Sequence, residues 1–252
     1  MNKFLFITIL FFTYLVNSQV QPSTKYAQTI TDKELKELLY VYASDYFAGR
    51  EAGTRGQKIA VDFLKDYYIS LGINSAEGTS PTYFQTMKLI IDRKIINTEN
   101  VAAIIPGSDK PEEYIVITSH LDHIGTHDGE INNGADDDGS GTVAMLEIAE
   151  AFKGAYDKGE GPKRSILFLH VSAEEKGLLG SKYYVENPLY PLDDTVANLN
   201  IDMIGRTDPK RLDRDPNYIY LIGSDRLSQE LHDLSEAANN KFTNLILDYP
   251  FN

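Results

Sequence analysis

The sequence predicts an α/β protein, a three-layer α/β/α sandwich around a mostly parallel mixed sheet. Three observations predict it. Tyr114–Thr118 and Ser165–Val171 are almost wholly apolar, as strands buried on both faces must be. Helical stripes alternate with them, Thr142–Phe152 between the two strands and Leu178–Val185 after the second. No internal repeat or low-complexity tract interrupts residues 19–252, which read as one domain.

Residues 1–18 stand apart. Lys3 precedes an apolar run from Phe4 to Val16, and polar Asn17 and Ser18 follow it. The run is short for a membrane span and no stop-transfer charges come after it, so it reads as a signal peptide cut near Ser18 or Gln19. The expected location is secreted or periplasmic, with no stable membrane insertion after cleavage.

The remaining elements follow in order. Thr31 with Glu34 is a capping box, and Leu35, Leu38, Leu39 and Tyr42 continue at helical spacing. Thr54 with Gln57 opens a second helix with an expected stripe of Ile59, Ala60, Phe63, Leu64, Tyr67 and Leu71, and Gly72 stops it. Tyr83–Ile91 and Asn100–Ile105 are rich in strand formers. Past the central elements, Val196–Ile201 and Tyr218–Ile222 read as strands and Leu227–Phe242 as a helix.

Composition narrows the function classes. Lys and Arg number 24 against 37 Asp and Glu, a formal charge of −13. Such a balance disfavours nucleic acid and anionic membranes, which would repel it. With no cysteine, neither a disulfide framework nor a lipidated cysteine is available.

The chemistry gathers around Asn133-Gly134-Ala135-Asp136-Asp137-Asp138-Gly139-Ser140-Gly141-Thr142. Three adjacent carboxylates call for a cation or abundant water. Three other segments place candidate donors at the ends of apolar strands: Ser119-His120-Leu121-Asp122, Ala173-Glu174-Glu175 and Asn200-Ile201-Asp202. Ligands in open α/β sheets bind at the carboxyl ends of strands, so the four segments suggest one metal site centred on Asp137. His120 and Asp122 share a strand face, where Asp122 can orient the imidazole. Glu174 and Glu175 diverge, so one can bind metal while the other holds a water. Taken singly, each segment is also compatible with a structural histidine or a solvated cap.

Together these motifs, with Lys176-Gly177-Leu178-Leu179-Gly180-Ser181 and the weaker Gly49-Arg50 and Gly53-Thr54, resemble the M28 family of co-catalytic dizinc aminopeptidases. The resemblance implies the zinc-peptidase fold and hydrolysis at the free N-terminus of a peptide or protein by a metal-bridged water. It implies His120 and Asp202 on one zinc, Glu175 on the other and Asp137 bridging both. Glu174 would be the general base and Asp122 the residue steering His120.

The family's second metal-binding histidine lies farther toward the C-terminus than any histidine here. His123 and His127 sit in the loop beside the site, His170 within a strand and His232 mid-helix. The expectation is therefore an M28-like domain incomplete at its C-terminus, binding one zinc at most and inactive as this fragment. Three other readings stay open: a single-zinc acyltransferase of the glutaminyl cyclase type, a non-catalytic binding relative, and a calcium loop. The last uses Asp136, Asp138, Ser140 and Glu147 at the spacing of an EF-hand.

Overall fold

Helix signals at the start of the chain act as their chemistry predicts. The computed structural model describes residues 22–91, 93–211 and 215–249, so the expected leader lies outside the described residues. After a short α1 (Pro22–Ala27), α2 (Asp32–Tyr42) opens on a complete capping box. Thr31 Oγ1 accepts from the Glu34 N–H at 3.2 Å and donates to Glu34 Oε2 at 2.6 Å. At α3 (Arg55–Leu71) only half the box forms. Thr54 caps the Gln57 N–H, but the Gln57 side chain turns to Glu99 at 3.2 Å. Gly72 ends α3 in the left-handed conformation, φ +66°.

The buried face of α3 is rotated from the expected stripe. Ala60 and Leu64 are buried as predicted, but their companions are Val61 and Tyr68, while Ile59, Phe63, Tyr67 and Leu71 lie at the margin. The cause is a polar contact across the core: Tyr68 OH lies 2.8 Å from His170 Nε2, which satisfies a hydroxyl that would otherwise be costly to bury.

The strands are β1 (Asn74–Ser75), β2 (Phe84–Ile91), β3 (Lys94–Ile105), β4 (Lys110–His120) and the hairpin β5 (Gly125–His127) and β6 (Glu130–Asn132). Then come α4 (Gly141–Tyr156), β7 (Arg164–Val171), α5 (Leu179–Glu186) and β8 (Thr195–Asn200). The described chain closes with β9 (Tyr218–Tyr220), α6 (Ser224–Leu227), α7 (Gln229–Phe242) and β10 (Ile246–Asp248). One sheet runs β1-β3-β7-β4-β8, with β2 also paired to β3. It is more evenly mixed than expected. β4 is parallel to β7 and β8, whereas β1, β2 and β7 each run antiparallel to β3. Only two residues separate β2 from β3, too few for a crossover, while α4 and α5 supply the crossovers that parallel pairing needs.

Successive side chains of β7 serve both faces. Phe168 points to the layer of α2, α3 and α4, where Leu64, Leu121, Met145 and Leu146 pack. Leu167 and Leu169 point to the other layer, where Tyr184 of α5 and Tyr190 lie, Tyr190 stacked on Tyr114 at 4.4 Å. β8 is an edge strand, with Val196 and Leu199 roughly half exposed.

His170 is fully buried, as its place in a strand implies, and its Nδ1 lies 3.0 Å from Ser119 Oγ. Burial pushes its imidazole down to about 3, against 6.5 in an unfolded chain. As pH falls below 6.5 the unfolded chain therefore takes up a proton that the folded protein refuses, and stability drops. Between pH 7 and pH 5 this group alone should remove about 2 kcal/mol. Denaturation of wild type and His170→Gln at both pH values checks it: the variant should lose less on acidification, and equal losses would show that His170 does not carry the effect.

Candidate metal centre

Parallel pairing brings three strand ends to one edge of the sheet. Thr118 of β4 lies level with Leu169 of β7 and Asn200 of β8, so His120, Glu174 and Asp202 leave the sheet close together. The Asp136–Asp138 loop joins them between the β5–β6 hairpin and the start of α4. No helix enters this loop, which removes the geometry of a calcium-binding EF-hand. Two exits turn through left-handed backbone, Ala173 at φ +56° just before Glu174 and Met203 at φ +53° just after Asp202. A side-chain-bearing residue adopts this at a cost of about 1–2 kcal/mol, and full burial of Ala173 holds its turn in place.

Arg50 lies behind the loops and is fully buried. Its Nε donates to the Leu121 carbonyl at 3.0 Å, Nη1 to those of Asn133 (2.7 Å) and Tyr42 (3.2 Å), and Nη2 to that of Gly134 (2.7 Å). The guanidinium also stands over the Tyr42 ring, 4.6 Å from its centroid. One side chain thus ties the His120–Asp122 segment to the approach to Asp136–Asp138. Burial disfavours the charge, and the fields of Asp122, Asp138 and Asp137 oppose that effect.

The donors fall into two groups whose candidate ligand atoms lie within 4.8 Å of one another: His120 with Asp138 and Asp202, and His123 with Asp137 and Glu175. Asp137 belongs to the second group and also touches the first, its Oδ1 being 2.9 Å from His120 Nε2. Asp202 Oδ1 is 3.8 Å from the same nitrogen. The hydrogen bond from His120 holds the Asp137 carboxyl below its usual range. Burial alone would depress the His120 imidazole, but that hydrogen bond and the fields of Asp138, Asp122 and Asp202 raise it to about 9.

Asp138 is a residue to which the zinc reading of the sequence gave no role. Its carboxylate accepts from the backbone N–H of His120 (3.1 Å), Gly141 (2.8 Å) and Met203 (3.3 Å), so it pins three of the converging segments. Burial pushes its carboxyl up to about 8. Occupied by backbone donors, it serves as a clamp on the loops.

Asp122 acts differently from expectation. The group beside His120 Nδ1 is the Asp122 main-chain carbonyl at 3.1 Å, with the carboxylate farther off at 3.9 Å. β4 ends at His120, so strand alternation no longer governs Asp122. The carboxylate instead accepts from the Glu174 N–H at 3.1 Å. Burial raises the Glu174 carboxyl above its usual range, and Asp202, Glu175 and Asp137 add to the effect while His120 opposes it.

Of the loop histidines, His127 turns away to the Ile124 carbonyl at 2.7 Å. His123 turns inward, with Nδ1 2.7 Å from Glu175 Oε1. Both atoms are buried, and neither has a hydrogen-bond partner despite that approach. Buried polar atoms converging without a hydrogen bond fit a shared cation, and imidazole with carboxylate suits zinc.

A family profile described as "Peptidase family M28" matches residues 100–251, more than half the chain. The chain belongs to peptidase family M28. Leupeptin-inactivating enzyme 1 of Streptomyces exfoliatus, a relative of this M28 chain, is 32% identical over 172 residues, which are 68% of the chain and 35% of that enzyme. Among solved structures, LapA aminopeptidase of Legionella pneumophila superposes with a TM-score of 0.63 at 23% identity, covering 90% of this chain and 56% of its own. Glutaminyl cyclase of Porphyromonas gingivalis gives 0.66 at 19%, covering 86% and 74%. At those identities both likenesses speak to the M28 fold alone. The chain spans 15% of the length of the first two curated relatives it matches and 35% of the third.

Proposed function

We propose that the protein is an exported zinc-dependent exopeptidase that hydrolyses the peptide bond after a free N-terminal residue. The observation that carries this reading is Asp137, which belongs to the second donor group and lies 2.9 Å from His120 of the first, with the Glu174 carboxyl in the field of both groups. When bound, zinc supplies Lewis acidity toward a peptide carbonyl and eases deprotonation of water. His120, Asp137, Glu175 and Asp202 would hold it. His120 must give up its proton to do so.

Glu174 would take a proton from the attacking water and return it to the departing amine, and the Asp122 carboxylate keeps Glu174 in place through its N–H. The acidic surroundings attract a protonated α-amine. A cavity of about 480 Å³ beside Asp137, lined by Leu39, Met203 and Arg206, offers room for the first side chain. A glutaminyl cyclase needs only one zinc, and the second donor group weighs against that reading.

The test uses the whole protein on a peptide with a free N-terminus and on its N-acetylated form. Chelator-sensitive release of amino acids from the free form alone is the expected result. Release from the acetylated form would sink the N-terminal assignment, and cyclisation of N-terminal glutamine without hydrolysis would favour the cyclase.

Export rests on Lys3, the Phe4–Val16 run and polar Asn17-Ser18. Among the described residues no helix is long and apolar enough to cross a membrane. Mass spectrometry of protein recovered outside the cytoplasm should find the first ~18 residues gone. An intact Met1 there would contradict the reading.

A further inference from the structure

We infer that His170 is a positioning residue for His120, acting through a buried relay of hydrogen bonds that ends on the His120 carbonyl. The inference rests on the zinc reading of His120 given above.

Four side chains from four elements form the relay. Tyr68 OH of α3 lies 2.8 Å from His170 Nε2 of β7, and His170 Nδ1 lies 3.0 Å from Ser119 Oγ of β4. Ser119 Oγ is 3.3 Å from Thr142 Oγ1 in the first turn of α4. Thr142 in turn donates to the His120 carbonyl at 2.9 Å. All four side chains belong to fully buried residues.

The last acceptor fixes every hydrogen. A carbonyl can only accept, so Thr142 spends its one hydrogen there and must accept from Ser119. Ser119 in turn accepts from His170 Nδ1–H, and Nε2 accepts from Tyr68. Burial keeps the imidazole neutral by pushing it down to about 3, so the ring carries one donor and one acceptor. The other tautomer would leave the Tyr68 hydrogen without an acceptor among the described residues and no hydrogen between Ser119 and Thr142. Buried polar groups rarely tolerate that.

The relay ends where the sheet stops helping. β8 pairs with β4 only as far as Thr118, and at His120 side chains take over. Asp138 Oδ2 accepts from the His120 N–H at 3.1 Å, and Thr142 holds the carbonyl. Both come from the segment that carries Asp137, so the relay sets His120 in register with that carboxylate, 2.9 Å from its Nε2. A packing role alone needs burial but no direction of donation, and direction is what the test reads.

NMR of the isotope-labelled whole protein at pH 7 should show His170 protonated at Nδ1 and bare at Nε2. A hydrogen on Nε2 would overturn the relay. Zinc affinity, measured by competition with a chromophoric chelator, gives the second readout. Ser119→Ala and Thr142→Val remove a relay hydrogen and should weaken zinc about 10-fold. His170→Gln, whose amide nitrogen replaces Nε2, should do the same. Thr142→Ser keeps the hydroxyl and His170→Asn puts its amide nitrogen near the Nδ1 position, so both should stay within about 3-fold of wild type. Leu64→Ala, a core truncation off the relay, should lose stability and keep its zinc affinity.

Unchanged affinity in Ser119→Ala and Thr142→Val would overturn this inference alone, as would an equal loss in Leu64→Ala. A wild-type protein that holds no zinc would overturn the peptidase reading and the purpose assigned to the relay, while the His170 spectrum still shows whether the relay forms.

Discussion

Glu174→Gln should lower kcat by on the order of 10²–10⁴-fold while the protein keeps its full zinc content. The amide matches the carboxylate in shape but cannot accept a proton from water. It also preserves the Glu174 N–H that the Asp122 carboxylate accepts, so the loop keeps its position. Glu175→Gln should differ, since Glu175 belongs to a donor group and its loss should weaken zinc retention. Metal analysis beside steady-state kinetics separates the two. Equal zinc loss in both variants would mean that Glu174 is a ligand and not the base.

The second large effect should come from a residue that touches no substrate. Arg50→Ala removes the guanidinium donor from four carbonyls, those of Tyr42, Leu121, Asn133 and Gly134, of which Leu121 keeps the Tyr42 hydroxyl and Gly134 the Gly139 N–H. It also removes a buried cation set behind Asp122, Asp137 and Asp138. A loss of about 3–5 kcal/mol is expected from breaking a buried charge network of this kind. For a chain of this size that corresponds to a melting temperature lower by roughly 6–20 °C. Arg50→Lys should recover little, because a single ammonium offers three donors from one point and cannot reach carbonyls on two separate loops. Thermal denaturation decides it, and a shift under about 2 °C for Arg50→Ala would refute the tie between the loops.

Much of the fold was legible because local chemistry and tertiary packing agree. The Thr31–Glu34 cap, the Gly72 stop, the apolar β4 and β7 and the stripe of α4 are decided within a few residues of chain. The candidate site was legible for a related reason. His120, Glu174 and Asp202 follow directly on strands, and parallel strands of one sheet deliver their ends to one edge whatever the loops do.

Other roles were decided only in three dimensions. The burial of Tyr68 depends on His170, 102 positions away, and nothing local to α3 reports that partner. Asp136, Asp137 and Asp138 are identical side chains in a row. Asp136 accepts from Arg206 Nε and the Gly205 N–H, Asp137 faces His120, and Asp138 clamps three backbone segments. His123 and His127 likewise share a loop, yet one meets Glu175 and the other a backbone carbonyl. The sequence by itself determined which elements form and that their ends carry metal-binding chemistry, because burial and hydrogen-bond periodicity act over a few residues. Which carboxylate clamps the backbone and which histidine turns inward was left to the tertiary structure, because those choices depend on backbone donors and charges brought in from distant strands.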